Sequence, residues 1–372
     1  MYQLIWSDLL STFGYSQIHP LLSLWLLEQG FSLPAIALGS SLLLATSFIC
    51  SLPAGLLADR LGNRTALLAA GGLQGVAAWG QIAATTPRAL YLANVWGGLA
   101  LALFSSAKLP LLGQSVPAAG LATAVAKARA AASLGSVLGG ATAAWICWRY
   151  SDMRYALLLG ASTVSLALLP LLWLPRSSKR PSSGAGSPGR RLRGNWQRIL
   201  SVCFLAAIGY SLITPYASLL LDQRGFSAGS ISASFSLWQL LAVVAWPLTR
   251  CLSRAGRSLP ATLLTLASLT LLLAPRSPNH YWWGLWLLWQ IALYTVQCLL
   301  QTAIALSTQR AVPFASLSML QTVAVIVGLQ AGSRLLTHPG WLYPLAAGCF
   351  VLATVILMAS ASRMRTDSGE SE

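Results

Sequence analysis

The sequence predicts an all-α integral membrane protein, twelve transmembrane helices arranged as two parallel six-helix repeats. Three observations predict it. Hydrophobic residues make up 56% and charged residues 9% of 372, whereas a water-facing chain carries about 25% charged residues. The chain reads as apolar runs parted by short polar breaks, and about 20 apolar residues at 1.5 Å rise cross a hydrocarbon core of about 30 Å. Finally, Gly14-Tyr15-Ser16-Gln17-Ile18-His19-Pro20 returns as Gly209-Tyr210-Ser211-Leu212-Ile213-Thr214-Pro215, five of seven residues identical at a shift of 195.

The runs place spans at 4–27, 34–57, 65–86, 89–112, 122–147 and 153–174, then at 199–221, 229–250, 259–275, 281–306, 314–336 and 341–362. Each is expected to be a helix because lipid cannot satisfy free backbone polar groups. The first run lacks a basic start and continues past the length of a signal core, so it is expected as the first span rather than a cleaved leader. Twelve spans leave both termini on one side. With the amino terminus inside, fifteen Lys and Arg residues fall on inner loops and tails and six on the outside. That bias orients both termini to the cytoplasm, as in a multi-pass protein of a bacterial inner membrane. Because these basic residues are distributed loop by loop, the +16 charge predicts no nucleic-acid partner, which would need them on one face or arm. The six cysteines stand singly in apolar runs without ligand spacing, so neither metal nor cofactor is expected.

The repeat extends beyond its first segment. Gly30-Phe31-Ser32 matches Gly225-Phe226-Ser227 at 195, Arg60 and Gly62 match Arg254 and Gly256 at 194, and Gly135 and Gly139 match Gly328 and Gly332 at 193. The expected domains are an N-terminal bundle over 1–174, a cytoplasmic linker over 175–198 rich in Ser, Pro, Gly and Arg, and a C-terminal bundle over 199–372 with a short cytoplasmic tail. Parallel repeats about an axis along the membrane normal are a transporter architecture.

Between the second and third spans, Gly55-Leu56-Leu57-Ala58-Asp59-Arg60-Leu61-Gly62-Asn63-Arg64 resembles the G-x-L-a-D-r-x-G-r-r/k loop of the major facilitator superfamily. With the spans and the repeat, the resemblance covers the whole chain. It implies a cytoplasmic gate at Gly55, Asp59, Arg60, Gly62 and Arg64 that latches the two halves. On chemistry alone, Gly55 lets helices approach, Gly62 permits a tight turn, and Asp59 can accept from backbone donors, Arg60 or Arg64. The second copy, Leu252-Ser253-Arg254-Ala255-Gly256-Arg257, has no acid. Leu134-Gly135-Ser136-Val137-Leu138-Gly139-Gly140 resembles the G-P-x-x-G-G segment of the family's antiporters with Ser136 in place of proline, and close helix packing is the preferred reading of it. The antiporter arginine before Gly98 is replaced by Asn94.

In the family, helices one, four, seven and ten line the cavity. Taking the helical step of 100°, Asp8, Thr12, Tyr15 and His19 fall at about 0°, 40°, −20° and 20°, one narrow stripe. Gln290, Tyr294, Gln297 and Gln301 repeat the same spacing on helix ten. Helix four offers Asn94, Gly98, Ser105 and Lys108, and helix seven Tyr210 and Thr214. These predict a substrate cavity at Tyr15, His19, Asn94, Lys108, Arg129, Tyr210, Thr214, Gln290, Tyr294, Gln297 and Gln301; the alternative is hydrogen bonding between helices at about 0.6 kcal/mol each.

Asp8 and His19 are the expected proton-coupling residues, since both titrate when buried, although Asp8 lies near the inner end and could reach water. Lys127-Ala128-Arg129 resembles the basic opening of helix five in sugar and aromatic-acid proton symporters. With Lys108 it could hold an anionic or hydroxyl-rich substrate; Lys127 snorkelling to the interface is the other reading. Trp25, Trp238 and Trp289 could stack on a substrate ring. No P-loop is present. The expected function is therefore a secondary active transporter of a small organic solute, working by alternating access as a monomer, with protons and the lipid bilayer as its other partners. A drug, metabolite or siderophore-like efflux pump is the alternative within the family. A transport-inactive receptor or scaffold and a membrane-embedded lipid enzyme are the alternatives outside it.

Overall fold

The computed structural model describes residues 2–115, 121–174, 193–252, 258–273, 311–336 and 338–369. Among them the elements are helical: α1 Tyr2–Glu28, α2 Leu33–Leu61, α3 Asn63–Ile82, α4 Pro87–Ser115, α5 Leu121–Tyr150, α6 Met153–Leu166 and α7 Leu168–Leu172. There follow α8 Arg193–Ile213, a 3-10 turn Thr214–Tyr216, α9 Ala217–Asp222, α10 Ala228–Leu252, α11 Ser258–Leu273, α12 Ala311–Leu335 and α13 Pro339–Gly369. The tenth expected span, 281–306, lies outside the described residues, and with it Gln290, Tyr294, Gln297, Gln301 and Trp289. Among the described residues, six stretches are long and apolar enough to cross a membrane: Leu33–Ser51, Pro87–Lys108, Ala130–Tyr150, Met153–Leu172, Ser201–Asp222 and Gly340–Met358. Helix α1 is not among them because Asp8, Ser11, Thr12, Ser16, Gln17 and His19 dilute its apolar character.

Two expected spans are interrupted, each beside a proline. The sixth divides at Ala167 into α6 and α7. Pro170 has no N–H for the Leu166 carbonyl, and its ring crowds that oxygen. The seventh gives way to the 3-10 turn around Pro215 for the same reason, whereas Pro20 is accommodated inside an unbroken α1.

The chain forms two compact units, residues 1–181 with 217–243, and residues 182–216 with 244–372. In the first, α1 packs on α5 and α6, α3 on α6, and α4 on both α2 and α3. In the second, α8 packs on α12 and α13, and α11 on α13. The pairings of α1 with α5, α1 with α6 and α3 with α6 therefore recur as α8 with α12, α8 with α13 and α11 with α13.

The atoms at these seams explain the repeated segment. Gly14 lies against Gly160, Thr163 and Val164 of α6, and Gly209 against Ala346 and Phe350 of α13. Gly139 of α5 meets the Phe13 carbonyl and Ser16, while Gly328 of α12 meets the Ile208 carbonyl and Ser211. Glycine thus serves one neighbouring helix and serine the other. The second pair also corrects the register. Phe13 to Ile208 is a step of 195, so Gly139 corresponds to Gly328 at 189, one turn from the 193 read in the sequence. Small residues repeat every fourth position here (Gly135, Gly139 and Ala143; Ala324, Gly328 and Gly332), so sliding by a turn preserves the ladder and the sequence cannot fix its phase.

The turns after the first and seventh spans are also duplicated. Gly30 and Gly225 have φ of 83° and 82°, a left-handed conformation that closes a helix end. Phe31 N–H donates to the Leu26 carbonyl at 3.0 Å and Phe226 N–H to the Leu221 carbonyl at 3.2 Å. Ser32 Oγ then accepts from Ala35 N–H, and Ser227 Oγ from Ser230 N–H, each starting the next helix.

Candidate functional site

Neighbours occupy most sides of α1. Leu9, Thr12, Phe13 and Ser16 face the glycines of α5, and Gly14 faces α6. Ser7 Oγ donates to the Ala167 carbonyl at 2.8 Å, and Ser11 Oγ to Gln74 Oε1 of α3 at 3.4 Å. Asp8, Tyr15 and His19 fall on the helical projection between the α5 side and the α3 side. Thr12, also on the predicted stripe, belongs to the α5 seam: its hydroxyl donates to the Asp8 carbonyl at 2.7 Å.

At the amino-terminal end of the stripe, Lys108 Nζ of α4 stands 2.6 Å from Asp8 Oδ2. The acid is 3% exposed and the lysine 25%, so Asp8 does not reach water, contrary to the alternative raised by its position near the helix end. The ammonium also lies 5.2 Å from the centre of the Phe104 ring, an attractive arrangement for a cation. Removing one member of a buried pair costs about 3–5 kcal/mol because the other charge is stranded. Two residues assigned separate roles by sequence, proton coupling and substrate binding, are one unit in space.

Two turns further along α1, the rings of Tyr15 and His19 stack with centres 5.5 Å apart and planes 25° apart. Tyr15 is half-buried and His19 exposed. In the second unit, Tyr210 on α8 and Thr214 in the 3-10 turn are half-buried. Helix four divides its predicted line. Asn94 is 5% exposed; its Oδ1 accepts from Gln81 Nε2 at 3.1 Å and its Nδ2 donates to the Leu90 carbonyl at 2.8 Å. Gly98 lies against Leu43, Thr46 and Ser47 of α2, so the amino-terminal half of the line serves helix packing. Lys127 is exposed on α5, and the side chain of Arg129 lies outside the described residues. Trp25 Nε1 donates to the Ile82 carbonyl at 3.4 Å, and Trp238, 8% exposed, packs on Phe235. Both indoles are occupied within the protein rather than offered to a ligand.

The loop between α2 and α3 departs from its expected bonding. Asp59 and Arg60 are exposed, and among the described residues Asp59 has no partner. Arg64 instead donates from Nη2 to the Leu172 carbonyl at 2.7 Å, placing a cation at the carboxyl end of α7, where the helix dipole favours it. Gly62 makes the turn with φ 88°, but no described atom lies within 4 Å of where a Gly55 Cβ would stand; the expected close helix approach is absent there. In the helix-five segment, Gly135 and Gly139 rest on α1, and Gly140 on Ser236 of α10, whose Oγ donates to the Val137 carbonyl at 2.7 Å. Close packing is what these glycines do.

Sequence reasoning missed the buried amides of α3, Gln74 and Gln81. Two glutamines seven residues apart in an apolar span were the available signal, since they recur on one helix face. It also missed Gln17, fully buried with Oε1 unpartnered among the described residues.

Residues 4–316 match the family profile described as Major Facilitator Superfamily. No curated protein matches the sequence. The fold is similar to that in "Crystal structure of D-xylose-proton symporter", with a TM-score of 0.74 at 15% identity over 96% of this chain and 96% of that one. At that identity the likeness is one of fold.

Proposed function

The chain belongs to the Major Facilitator Superfamily, and from that premise we propose that it is a proton-coupled secondary transporter whose coupling group is the Asp8–Lys108 pair. Membership makes it a multi-pass membrane transporter of small molecules, not an enzyme. The finer reading is twelve spans in two parallel repeats, both termini cytoplasmic, working by alternating access. What carries the coupling proposal is a carboxylate 3% exposed and salt-bridged at 2.6 Å on the side of α1 that also carries Tyr15 and His19. Ionisable residues inside a membrane are expensive, and they mark proton and substrate pathways.

In this reading Tyr15 and His19 offer the substrate a ring face and hydrogen-bonding edges, with Tyr210, Thr214 and the helix-ten residues Gln290, Tyr294, Gln297 and Gln301 as its counterparts in the second repeat. Asp8 takes a proton in one orientation and returns it in the other. Asp59, Arg60 and Arg64 belong to the inner gate, Arg64 by fixing the start of α3 to the end of α7.

The test is a melting-point screen of the purified protein against sugars, aromatic acids, siderophores and cationic drugs, since a ligand of the folded state raises its stability by mass action. A hit is then added to proteoliposomes loaded with a pH-sensitive dye. Substrate-driven acidification, lost in Asp8→Asn with binding retained, is expected. Acidification that persists in Asp8→Asn refutes the assignment of the coupling group.

A further inference from the structure

Resting on the proton-coupled reading, we infer that the substrate carries a carboxylate, which replaces Asp8 on Lys108 when Asp8 is protonated. The pair is asymmetric. Asp8 is 3% exposed whereas a quarter of Lys108 is open, so an arriving anion meets the ammonium and not the acid. Thr12 hydroxyl is already engaged with the Asp8 carbonyl and gives the carboxylate no second partner.

Among the described side chains, Lys108 is the one charged group in contact with Asp8. Tyr15, His19 and Glu28 lie further out on α1, and Cys50 of α2 and Cys147 of α5 are free thiols. Asp59 and Arg60 of α2 and Lys127 of α5 are exposed, and Arg64 of α3 is held by Leu172. Arg88 and Tyr91 of α4, Arg149 and Tyr150 of α5, Arg154 and Tyr155 of α6 and Asp222 of α9 lie at the opposite ends of their helices.

A proton on Asp8 therefore leaves the ammonium facing the Phe104 ring with no counter-ion among the described residues. An uncompensated charge at that depth is unfavourable, and an anionic group restores neutrality. One proton and one negative charge then move together, so transport of a monocarboxylate is electroneutral. Linkage makes the effect reciprocal: the proton tightens carboxylate binding by the factor by which the carboxylate tightens proton binding. Above the Asp8 titration, apparent affinity for the acid falls about tenfold per pH unit.

The experiment measures melting of the full chain in detergent, at mildly acidic and mildly alkaline pH, with three matched pairs: gluconate and sorbitol, benzoate and benzyl alcohol, lactate and propane-1,2-diol. The expected result is that an acid raises the melting point, more so at acidic pH, while its alcohol does not. Asp8→Asn should make the shift independent of pH. Lys108→Gln should abolish it, and so should Asp8→Asn/Lys108→Gln, which strands no charge and keeps the test valid if Lys108→Gln fails to fold. An alcohol as effective as its acid overturns the carboxylate and leaves proton coupling standing. A panel silent at acidic pH overturns the carboxylate as well. An acid shift that ignores both pH and Asp8→Asn overturns the exchange on Lys108 and the coupling role of Asp8 together.

Discussion

Alanine at Gly14 should weaken the protein more than alanine at its repeat partner Gly209. A Cβ at Gly14 would stand 2.5 Å from the Gly160 carbonyl oxygen, 2.6 Å from Thr163 Oγ1 and 2.7 Å from Val164 Cγ2. Ordinary contact begins near 3.4 Å, so α1 and α6 have to part by about 0.9 Å, against the close packing of such interiors. At Gly209 the nearest atom is Phe350 Cζ at 2.8 Å and the nearest backbone atom the Ala346 carbonyl oxygen at 3.1 Å, a smaller intrusion. Overpacking costs about 1–3 kcal/mol, and a mid-helix glycine-to-alanine change returns up to about 1 kcal/mol of helix propensity. The net loss is about 1–2 kcal/mol at Gly14 and at most about 1 kcal/mol at Gly209. At about 2–4 °C per kcal/mol, Gly14→Ala melts roughly 2–8 °C below the parent. The fifteen tryptophans report this by fluorescence in detergent. Gly72→Ala and Gly348→Ala, where no atom lies within 4 Å of the new methyl, are the controls and should melt at or above the parent. If Gly14→Ala melts no lower than Gly72→Ala, the repeated segment is not a packing device.

Three other outcomes are expected. Asp8→Ala, which leaves Lys108 without its counter-ion, should destabilise the protein by about 3–5 kcal/mol, whereas the isosteric Asp8→Asn with Lys108→Gln should recover most of that loss in the same melting assay. Arg64→Ala removes the cation from the end of α7 and should cost about 0.3–1 kcal/mol, partly restored in Arg64→Lys, while Asp59→Asn should leave the melting point unchanged. Burial, then the Asp152 and Asp222 carboxylates, hold Glu28, beyond the first span, above the usual carboxylate range. A raised acid contributes stability that is fully present below its unfolded pKa and is lost as pH rises through the folded one. Melting should therefore fall as pH rises out of the acidic range, with Glu28→Gln flattening that dependence and melting higher at neutral pH.

The helices were legible because apolar runs of bilayer length have few other outcomes, and the two interruptions were implicit in Pro170 and Pro215. What periodicity cannot supply is phase or partner. The ladder ending in Gly328 and Gly332 looks the same after a slide of one turn, so its alignment was off by that amount. Asp8 and Lys108 are a hundred residues apart, and the helical projection locates each on a face without saying that the faces meet. Asn94 shared the predicted line of helix four, yet Gln81, outside that line, claims its amide. The loop between α2 and α3 misled in the same way, since Arg64 had a neighbouring acid in sequence and a helix end in space.

The first compact unit is not a contiguous stretch of chain. It draws in residues 217–243, with Gly140 resting on Ser236 and Ser236 bonded to the Val137 carbonyl. During synthesis, where chains are built and fold from the amino end, α1 to α7 can already be made while α5 still lacks this partner. Gly140 of α5 stays uncovered until α10 leaves the ribosome, so this seam is completed only after the basic segment that follows α7 has been made. Severing the chain between residues 181 and 182 would leave α10 with α5, and fragments 1–181 and 182–372 made separately would each carry half of the same seam.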